Sequence, residues 1–519
     1  MKKGQLVEGV VTRVDFPNKG IVMTDEGDRL TVKNVIEGQR ISCVVKKTRK
    51  DKAQGLFREL IAKSPLEMEE AACPHSGICG GCAYQTLDYE TQLQIKDGQM
   101  RRIFENVIPD FDNLFEGVIA SPVQSHYRNK MEFSFGDAMK DGPLELGMHK
   151  RGSFYDIVTV TECQIIPEDM RLVLQATLEY FSERNITYFH KMRHEGYLRH
   201  LLVRKAVKTG EMIVDLVTSS GVSARKLSDN PGPDGEAVWE NVTGIDEAEL
   251  LNGWRDALME LKYEGKLVGV LHTTNDRDGD VVEDQGTEVL YGQSYFFEEL
   301  LGLKFKITPF SFFQTNSLGA EVLYSKARDY ISQSLDGDLD KLNGKVLFDL
   351  YSGTGTIAQI MAPVADKVVG VEIVEEAVEA AKINAMENGL DNCEFLAGDV
   401  LKVIDDIQEK PDYIILDPPR DGINPKALKK IIDYGVENMV YISCKPTSLA
   451  RDLEMLQECG YVVKKISCVD MFPGTVHCET VCLLQKMSNT RERTLTLDVE
   501  MEDYHRINNR TEVTADVTE

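Results

Sequence analysis

The chain has 519 residues, 42% of them hydrophobic, and a formal net charge of −26. Because this length exceeds one ordinary domain, we expect three or four folded units. No run of about 18 apolar residues is present, which argues against a membrane-spanning helix, and the N-terminus lacks the continuous apolar core of a signal peptide. The sequence therefore predicts a cytoplasmic protein. There, eleven cysteines indicate metal binding or catalysis rather than disulfides.

The first 64 residues alternate about five short β-rich runs with turns. This pattern predicts a small barrel of the oligonucleotide-binding type over residues 1–64. The basic cluster KKTRK at 46–50 lies near its end. It is a candidate nucleic-acid contact, with a solvated loop as the alternative, whereas the net negative charge of the whole chain argues weakly against non-specific binding.

A cysteine-rich knuckle, CPHSGICGGC, follows the predicted barrel. Its three thiols, Cys73, Cys79 and Cys82, are spaced C-x5-C-x2-C, and Cys163 is the next cysteine along the chain. Zinc and iron–sulfur clusters both accept four thiolates. A compact knuckle with one remote ligand favours a 4Fe-4S cluster over the paired knuckles of zinc ribbons, although His75 is an alternative zinc ligand.

The region 65–320 is predicted to be a central β-rich domain. Its clearest strand patterns lie at 127–136, 143–158, 198–207 and 211–219. The first two patterns carry basic residues beside aromatic ones, a combination that can hold a nucleic-acid strand. The acidic stretch 221–259 contains the turn sequence PGPDG, which predicts an exposed insertion followed by a helix.

From Gly344 onward, strand and helix patterns alternate. This alternation predicts a doubly wound parallel sheet, which we assign to a domain over 321–487. The acidic tail 488–519 has no apolar periodicity, and we expect it to be disordered or peripheral.

A glycine loop, YSGTGT, follows the first strand of this predicted sheet. Gly353 and Gly355 allow a ligand to approach the backbone closely. Such a loop could serve a dinucleotide, but the third glycine of the dinucleotide pattern is missing. Glu372 ends the next strand and suits a ribose diol, and Asp399 follows the third strand near the expected adenine edge. These features favour S-adenosylmethionine.

Three further polar residues are predicted at the same sheet edge. Asp417 is held by two prolines after the fourth strand, and Cys444 ends the fifth strand beside Lys445. A nearby cation favours a thiolate, so Cys444 is a candidate nucleophile, with a buried structural cysteine as the alternative. Glu479 precedes the last strand and is a candidate base, a role for which His477 is the weaker candidate.

Together, these motifs resemble the bacterial RNA uracil-5-methyltransferase family. The resemblance is carried by SCKPTSLARDL, DPPRDG, HCETV, SFFQTN, DLYSGTGTI, YRNKMEFSFG and the cysteine knuckle. It is closest to the 23S ribosomal RNA branch that has an iron–sulfur cluster, and the N-terminal barrel is similar to the RNA-binding TRAM module. The resemblance covers roughly residues 1–487, except for the acidic stretch 221–259.

The resemblance implies a role for each matching residue. Cys444 matches the nucleophile, Glu479 the base and Phe312 an aromatic residue that holds the flipped uracil. The residues that match the cofactor contacts are Gln314, Tyr351, Glu372 and Asp417. The residues that match the ligands of a structural 4Fe-4S cluster are Cys73, Cys79, Cys82 and Cys163.

The expected activity is methyl transfer to carbon 5 of a uridine in RNA, most simply 23S rRNA, by a monomer. A transfer-RNA target, an amino-group methyltransferase suggested by Asp417-Pro418-Pro419, and a non-catalytic RNA-binding protein are the alternatives. The uracil must leave its stack to reach a thiol. This requirement explains why RNA-binding modules, the predicted barrel and central domain, accompany the predicted catalytic sheet.

Overall fold

The computed structural model describes residues 1–49, 52–140, 142–227, 239–242, 244–279, 281–282, 284–338 and 342–487. The predicted tail 488–519, Lys50 of the basic cluster and the PGPDG turn lie outside the described residues. No helix within the described ranges is long and apolar enough to cross a membrane.

The N-terminal strands form a closed barrel in the order β1-β2-β3-β5-β4. The strands are β1 (Leu6–Asp15), β2 (Lys19–Thr24), β3 (Arg29–Lys33), β4 (Arg40–Arg49) and β5 (Lys52–Ala62). Alternate residues point inward, as a half-buried strand requires, and Val7, Val22, Leu30, Ile41 and Cys43 fill the barrel. The prediction of a five-stranded barrel is confirmed.

The middle of the chain builds a seven-stranded sheet in the order β15-β14-β11-β10-β7-β8-β9. The elements of this part are α1 (Tyr89–Phe104), α2 (Phe111–Leu114), β6 (Phe115–Ile119), β7 (Lys130–Gly136), β8 (Glu145–His149), β9 (Ile157–Thr159), α3 (Glu168–Glu183), β10 (Leu198–Lys205), β11 (Glu211–Thr218), β12 (Ala224–Leu227), β13 (Trp239–Val242), α4 (Glu247–Met259), β14 (Lys266–Thr274), β15 (Thr287–Gly292), β16 (Phe296–Leu300) and β17 (Leu303–Ile307). Strands β12 and β13 pair with each other, as do β16 and β17.

Helix α4 lies inside the acidic stretch 221–259, yet it belongs to the central core. Leu250, Leu251 and Trp254 are buried in the same cluster as residues of α3, and the indole of Trp254 donates a 3.1 Å hydrogen bond to Thr177 Oγ1. The apolar face of the helix explains this packing. The stretch is therefore not wholly an exposed insertion.

The C-terminal part forms an eight-stranded sheet in the order β20-β19-β18-β21-β22-β24-β23-β6. Its elements are α5 (Ser317–Ser334), β18 (Val346–Leu350), α6 (Thr356–Met361), a 3-10 turn (Ala362–Val364), β19 (Lys367–Glu372), α7 (Glu375–Glu387), β20 (Cys393–Ala397), α8 (Val400–Val403), β21 (Tyr413–Leu416), α9 (Pro425–Asp433), β22 (Asn438–Ser443), α10 (Pro446–Glu458), β23 (Tyr461–Val469) and β24 (Glu479–Lys486). Strands β18 to β22 are mutually parallel, whereas β24 is antiparallel to β22. The predicted doubly wound sheet is confirmed.

A segment from the region assigned to the central domain completes this sheet. Strand β6 pairs with β23 at its edge, and Met100, Phe104 and Phe111 from α1 and α2 join the C-terminal core. Lys96 of α1 forms a fully buried ion pair with Asp470, with 2.6 Å between Nζ and Oδ1. Helices α1 and α2 and strand β6 therefore pack with the C-terminal sheet, although their sequence lies far upstream.

Candidate active site

The carboxyl ends of four parallel strands meet at one edge of the C-terminal sheet. The strand order reverses between β18 and β21, and ligands of open α/β sheets bind at such a switch point. Tyr351 follows β18, Glu372 ends β19, Asp417 follows β21 and Cys444 follows β22. The fold therefore brings these four predicted residues to a common edge.

The glycine loop after β18 forms a backbone cradle. Tyr351, Gly353 and Gly355 have positive φ angles of 70°, 54° and 72°. For a tyrosine this conformation is strained, and such strain clusters at ligand sites. A Cβ atom built on Gly353 would meet only the ring of Phe312, at 3.9 Å, so the backbone is open to a ligand at this point.

Carboxylates surround the cradle. Glu372 accepts hydrogen bonds from the amides of Gly353 at 3.0 Å and Val374 at 3.1 Å. Asp399 caps α8 by accepting from the amide of Leu401 at 2.9 Å. Burial raises the pKa of Tyr351 to about 12, and the charge of Asp399 contributes to that rise. The Glu372–Gly353 hydrogen bond ties the end of β19 to the loop after β18, and the amide of Gly398 after β20 donates to the carbonyl of Glu372 at 2.8 Å.

Asp349 is a buried acid that holds the start of α6. One carboxylate oxygen accepts from the amide of Ala358 at 2.9 Å, and the other has no hydrogen-bond partner. Burial, followed by the charge of Asp417, raises its pKa to about 8. An unpaired buried polar atom beside an open glycine loop fits a polar organic cofactor such as S-adenosylmethionine.

Cys444 and Glu479 face each other across two strands. Ser443 of β22 pairs with Thr480 of the antiparallel β24. The register therefore sets Cys444, which follows Ser443, opposite Glu479, which precedes Thr480. Burial raises the pKa of the Cys444 thiol to about 11, and the carboxylates of Glu479 and Asp417 add to the rise. Such electrostatic coupling requires the three groups to be close together.

The two carboxylates also have raised pKa values. Burial raises the pKa of Glu479 to about 8, with a further contribution from Asp417, and it raises that of Asp417 to about 7. The Arg420 cation opposes the shifts of Cys444 and Glu479. Titratable groups tuned toward neutral pH in one cleft mark a functional-site candidate.

His477 lies two residues before Glu479. Burial, with the nearby Arg420 as the second cause, lowers its pKa to about 4. The imidazole is therefore neutral at physiological pH.

A strap formed by residues 308–316 carries Phe312 and Gln314. The buried guanidinium of Arg204 donates to the carbonyl oxygens of Thr308 at 2.6 Å, Pro309 at 3.1 Å and Ser311 at 2.8 Å.

The far end of the strap is held by Asn129. Its side-chain amide donates to the carbonyl of Gln314 and to Ser317 Oγ, both at 2.8 Å. The central sheet thus positions the strap, while the Phe312 ring remains 65% exposed.

Tyr324 of α5 links the strap to the carboxylates. Burial raises the pKa of its phenol well above the usual range, Asp417 adds to the rise, and a hydrogen bond to Gln314 opposes it. The phenol is therefore neutral and lies close to both the strap and the strand ends.

The four predicted cluster cysteines lie together outside the catalytic sheet. Cys79, Cys82 and Cys163 pack against the central core. Burial raises the pKa of Cys163 to about 12, with Cys82, Cys73 and Cys79 each adding to the rise.

The surroundings of these sulfurs suit an anionic group. The amide of Gly81 donates to Cys79 Sγ at 3.3 Å, and the Arg151 guanidinium donates to the carbonyl of Cys82 at 2.7 Å. Hydrogen bonds to the sulfurs are among the contacts that tune a thiolate-bound cluster. Among the described residues, however, no group of three or more His, Cys, Asp or Glu side chains is arranged to hold a metal ion. The cluster stays a prediction.

Several residues of the site were not predicted from the sequence. Asn129 lies in the YRNK motif without an assigned role, and Tyr324 is an ordinary helix residue in the sequence. Arg204 offered one signal, because it directly follows the apolar run Leu201-Leu202-Val203, and an arginine buried at such a place must find hydrogen-bond partners.

The fold and the site define a Rossmann-like methyltransferase, and the comparisons with known proteins agree. The family model of tRNA (uracil-5-)-methyltransferase matches residues 303–487. The chain is 45% identical to an RNA methyltransferase of Clostridium tetani, with 94% of this chain and 99% of the relative covered. It is 46% identical to one of Caldanaerobacter subterraneus, with 94% and 100% covered.

A solved structure also matches almost the whole chain. The Pyrococcus abyssi tRNA (uracil-54, C5)-methyltransferase in complex with S-adenosyl-L-homocysteine has a TM-score of 0.67 and 25% identity, with 92% of this chain and 99% of that chain covered. The protein belongs to the RNA (uracil-5-)-methyltransferase family. It is therefore an S-adenosylmethionine-dependent enzyme that acts on RNA.

Proposed function

We propose that this enzyme methylates carbon 5 of a specific uridine in 23S rRNA through a covalent bond between Cys444 and carbon 6 of the uracil. The observation that carries the proposal is the register of β22 and β24, which sets Cys444 opposite Glu479 at the edge that Asp417 also occupies. One thiol, one base and a cofactor cradle at the same edge are what this chemistry needs.

The physical reason for a nucleophile lies in the substrate. Carbon 5 of a uracil ring attacks an electrophile poorly, but addition of a thiolate to carbon 6 converts the ring into an enolate that is nucleophilic at carbon 5. S-adenosylmethionine supplies the electrophilic methyl group when it is bound. Glu479 then removes the proton from carbon 5, and the electrons of that bond expel the Cys444 thiolate, which restores the aromatic ring.

Each protein group has a defined task before the reaction. With a pKa of about 11, the Cys444 sulfur is a thiol at neutral pH, so it must lose a proton as it attacks. The neighbouring Asp417, with a pKa of about 7, is partly ionised at that pH and can accept a proton. We assign the cofactor contacts to Gln314, Tyr351, Glu372, Asp399 and Asp417.

Phe312 is assigned to the flipped uracil. Its exposed ring lies beside the glycine loop and at the end of the strap that Arg204 fixes. A flipped base needs an aromatic surface to replace the stacking that it loses. Cys73, Cys79, Cys82 and Cys163 are assigned to a 4Fe-4S cluster that stabilises the fold beside this site.

Transfer RNA is the second candidate substrate, because the solved relative from Pyrococcus abyssi acts on tRNA. Mapping of 5-methyluridine in RNA from cells with and without this protein separates the two. Loss of the modification from 23S rRNA alone is expected. Loss from tRNA alone would replace the ribosomal assignment, and no loss from either RNA would refute the proposed activity.

A further inference from the structure

Two exposed turns of the central part lie side by side and carry aromatic, thioether and basic side chains. The turn after β8, residues 149–155, reads HKRGSFY, and the segment 189–194 reads FHKMRH. Neither contains an acidic residue, although the whole chain carries a net charge of −26. The two turns therefore carry a local excess of basic residues on an acidic protein, although Asp156 and Glu195 directly follow them and Asp278 lies 3.2 Å from His194.

Large apolar side chains on these turns are unusually exposed. Phe154 is 85% exposed, Tyr155 61% and Met192 68%. The Tyr155 hydroxyl contacts Met192 Sδ at 3.8 Å, so the two turns meet. Neighbouring exposed apolar groups with cations around them mark an interaction site rather than scattered surface residues.

The first turn is held rigidly on the cysteine knuckle. The amide of Arg151 donates to the carbonyl of Ile78 at 2.7 Å, and the amide of Gly80 donates to the carbonyl of His149 at 2.9 Å. Ile78, also exposed, extends the apolar surface. Because the knuckle holds the backbone of the turn at His149 and Arg151, a ligand that binds Phe154 and Tyr155 need not order the start of this turn.

The knuckle in turn contacts the loop that leads to Glu479. The amides of Ala83 and Tyr84 donate to the carbonyl of Gly474 at 3.1 and 2.9 Å. Backbone hydrogen bonds therefore connect the exposed turn to the knuckle, and the knuckle to the loop that precedes Glu479.

We propose that Phe154, Tyr155 and Met192, flanked by Lys150 and Arg193, form a stacking platform for unpaired nucleotides of the RNA substrate outside the catalytic pocket. The proposal rests on the proposed function, since it supplies an anchoring site for the RNA whose uridine is methylated. Aromatic rings accept bases of any sequence on their faces, and cations beside them neutralise the phosphates. A single strand fits this surface better than a duplex, whose bases are already stacked.

The test compares Phe154→Ala/Tyr155→Ala with wild type by fluorescence anisotropy, without cofactor, on a uridine-rich single-stranded RNA and on a duplex that contains the same strand. We expect the double variant to bind the single strand about tenfold more weakly and the duplex with unchanged affinity. Phe154→Trp/Tyr155→Trp keeps the stacking faces and should restore binding. Met386→Ala, an equally exposed apolar residue on α7, is the matched control and should bind as wild type does.

A second pair of changes tests the cations. Lys150→Gln/Arg193→Gln should reduce the slope of log K against log salt on the single strand by about 1.4, since two phosphate contacts are lost. Unchanged single-strand affinity in the aromatic double variant, with an unchanged melting temperature, would overturn the platform. Equal weakening of single-strand and duplex binding would also overturn it.

The outcome is separable from the proposed function. Suppose that wild type methylates rRNA and that wild type and the aromatic double variant have the same KM for RNA. This result would refute the platform and leave the proposed activity standing. If wild type incorporates no methyl group but the variant binds the single strand tenfold more weakly, the proposed activity is refuted and the platform is supported. We expect the variant to have a raised KM for RNA and a kcat close to that of wild type.

Discussion

The side-chain amide of Asn129 donates a 2.8 Å hydrogen bond to the backbone carbonyl of Gln314. One residue lies just before the first strand of the central sheet, and the other lies in the strap beside the cofactor cradle. The contact therefore couples the part of the chain with the basic turns to the part that performs the chemistry.

Asn129→Asp should weaken this coupling. A carboxylate has the same shape as the amide, but it has no N–H group to donate to the carbonyl of Gln314 or to Ser317 Oγ. Two lost hydrogen bonds and a new repulsion cost about 2–3 kcal/mol, which corresponds to a fall in kcat/KM of about 30- to 160-fold. Steady-state methyl transfer from labelled cofactor measures it. Asn113→Asp, an exposed change of the same chemistry, is the control, and equal activity of both variants would contradict the positioning role.

Cys444→Ala should abolish methyl transfer while cofactor binding, measured by calorimetry, survives. Glu479→Gln should instead accumulate a covalent protein–RNA adduct, since the thiolate cannot leave until the carbon 5 proton is removed. Denaturing gel electrophoresis detects that adduct. Cys459→Ala, at an exposed cysteine, should be fully active, and full activity of Cys444→Ala would refute the nucleophile.

The rate of adduct resolution should rise between about pH 7 and pH 9. Burial raises the pKa of Glu479 to about 8, and only its ionised form is a base, so its active fraction increases as the pH passes through that value. Single-turnover measurements across this range report the step. A profile for Glu479→Gln with the same slope would show that another group removes the proton.

Cys163→Ala should release the predicted cluster. Anaerobically purified wild type is expected to be brown and to contain iron and sulfide, whereas the variant should be colourless. Cys43→Ala, at a cysteine buried in the barrel, is the control and should retain the metal. Colourless wild-type protein with one bound zinc would overturn the cluster assignment.

Lys96→Met should strongly destabilise the protein. It leaves Asp470 buried without its cation, a change that typically costs about 3–5 kcal/mol. Because Asp470 begins the loop that leads to Glu479, activity should fall at temperatures where wild type is stable. Thermal unfolding followed by circular dichroism measures the loss. The double variant Lys96→Met/Asp470→Asn should recover part of it, and equal melting temperatures of wild type and Lys96→Met would contradict the importance of the pair.

Much of the fold was accessible from sequence because its signals are local. Alternating strands in the first 64 residues predicted the barrel, and the strand–glycine loop–helix pattern around Gly353 predicted the cofactor cradle. The position of Cys444 after an apolar strand and before Pro446 likewise placed it at the sheet edge.

Contacts between distant segments were beyond such patterns. The pairing of β6 with β23 joins residues more than three hundred positions apart, and the boundary assigned at residue 321 separated them. A helix was predicted after the exposed part of the acidic stretch 221–259, but the sequence did not predict that the apolar face of α4 packs into the central core.

The amino-acid sequence by itself determined which local elements form, which residues end the parallel strands, and which family the motifs resemble. Only the tertiary structure decided that β24 returns antiparallel with Glu479 opposite Cys444, and that Arg204 and Asn129 hold the strap. The physical reason is that strand endings and glycine turns depend on neighbours in the chain, whereas register and buried hydrogen bonds depend on packing between segments that the chain brings together only when it folds.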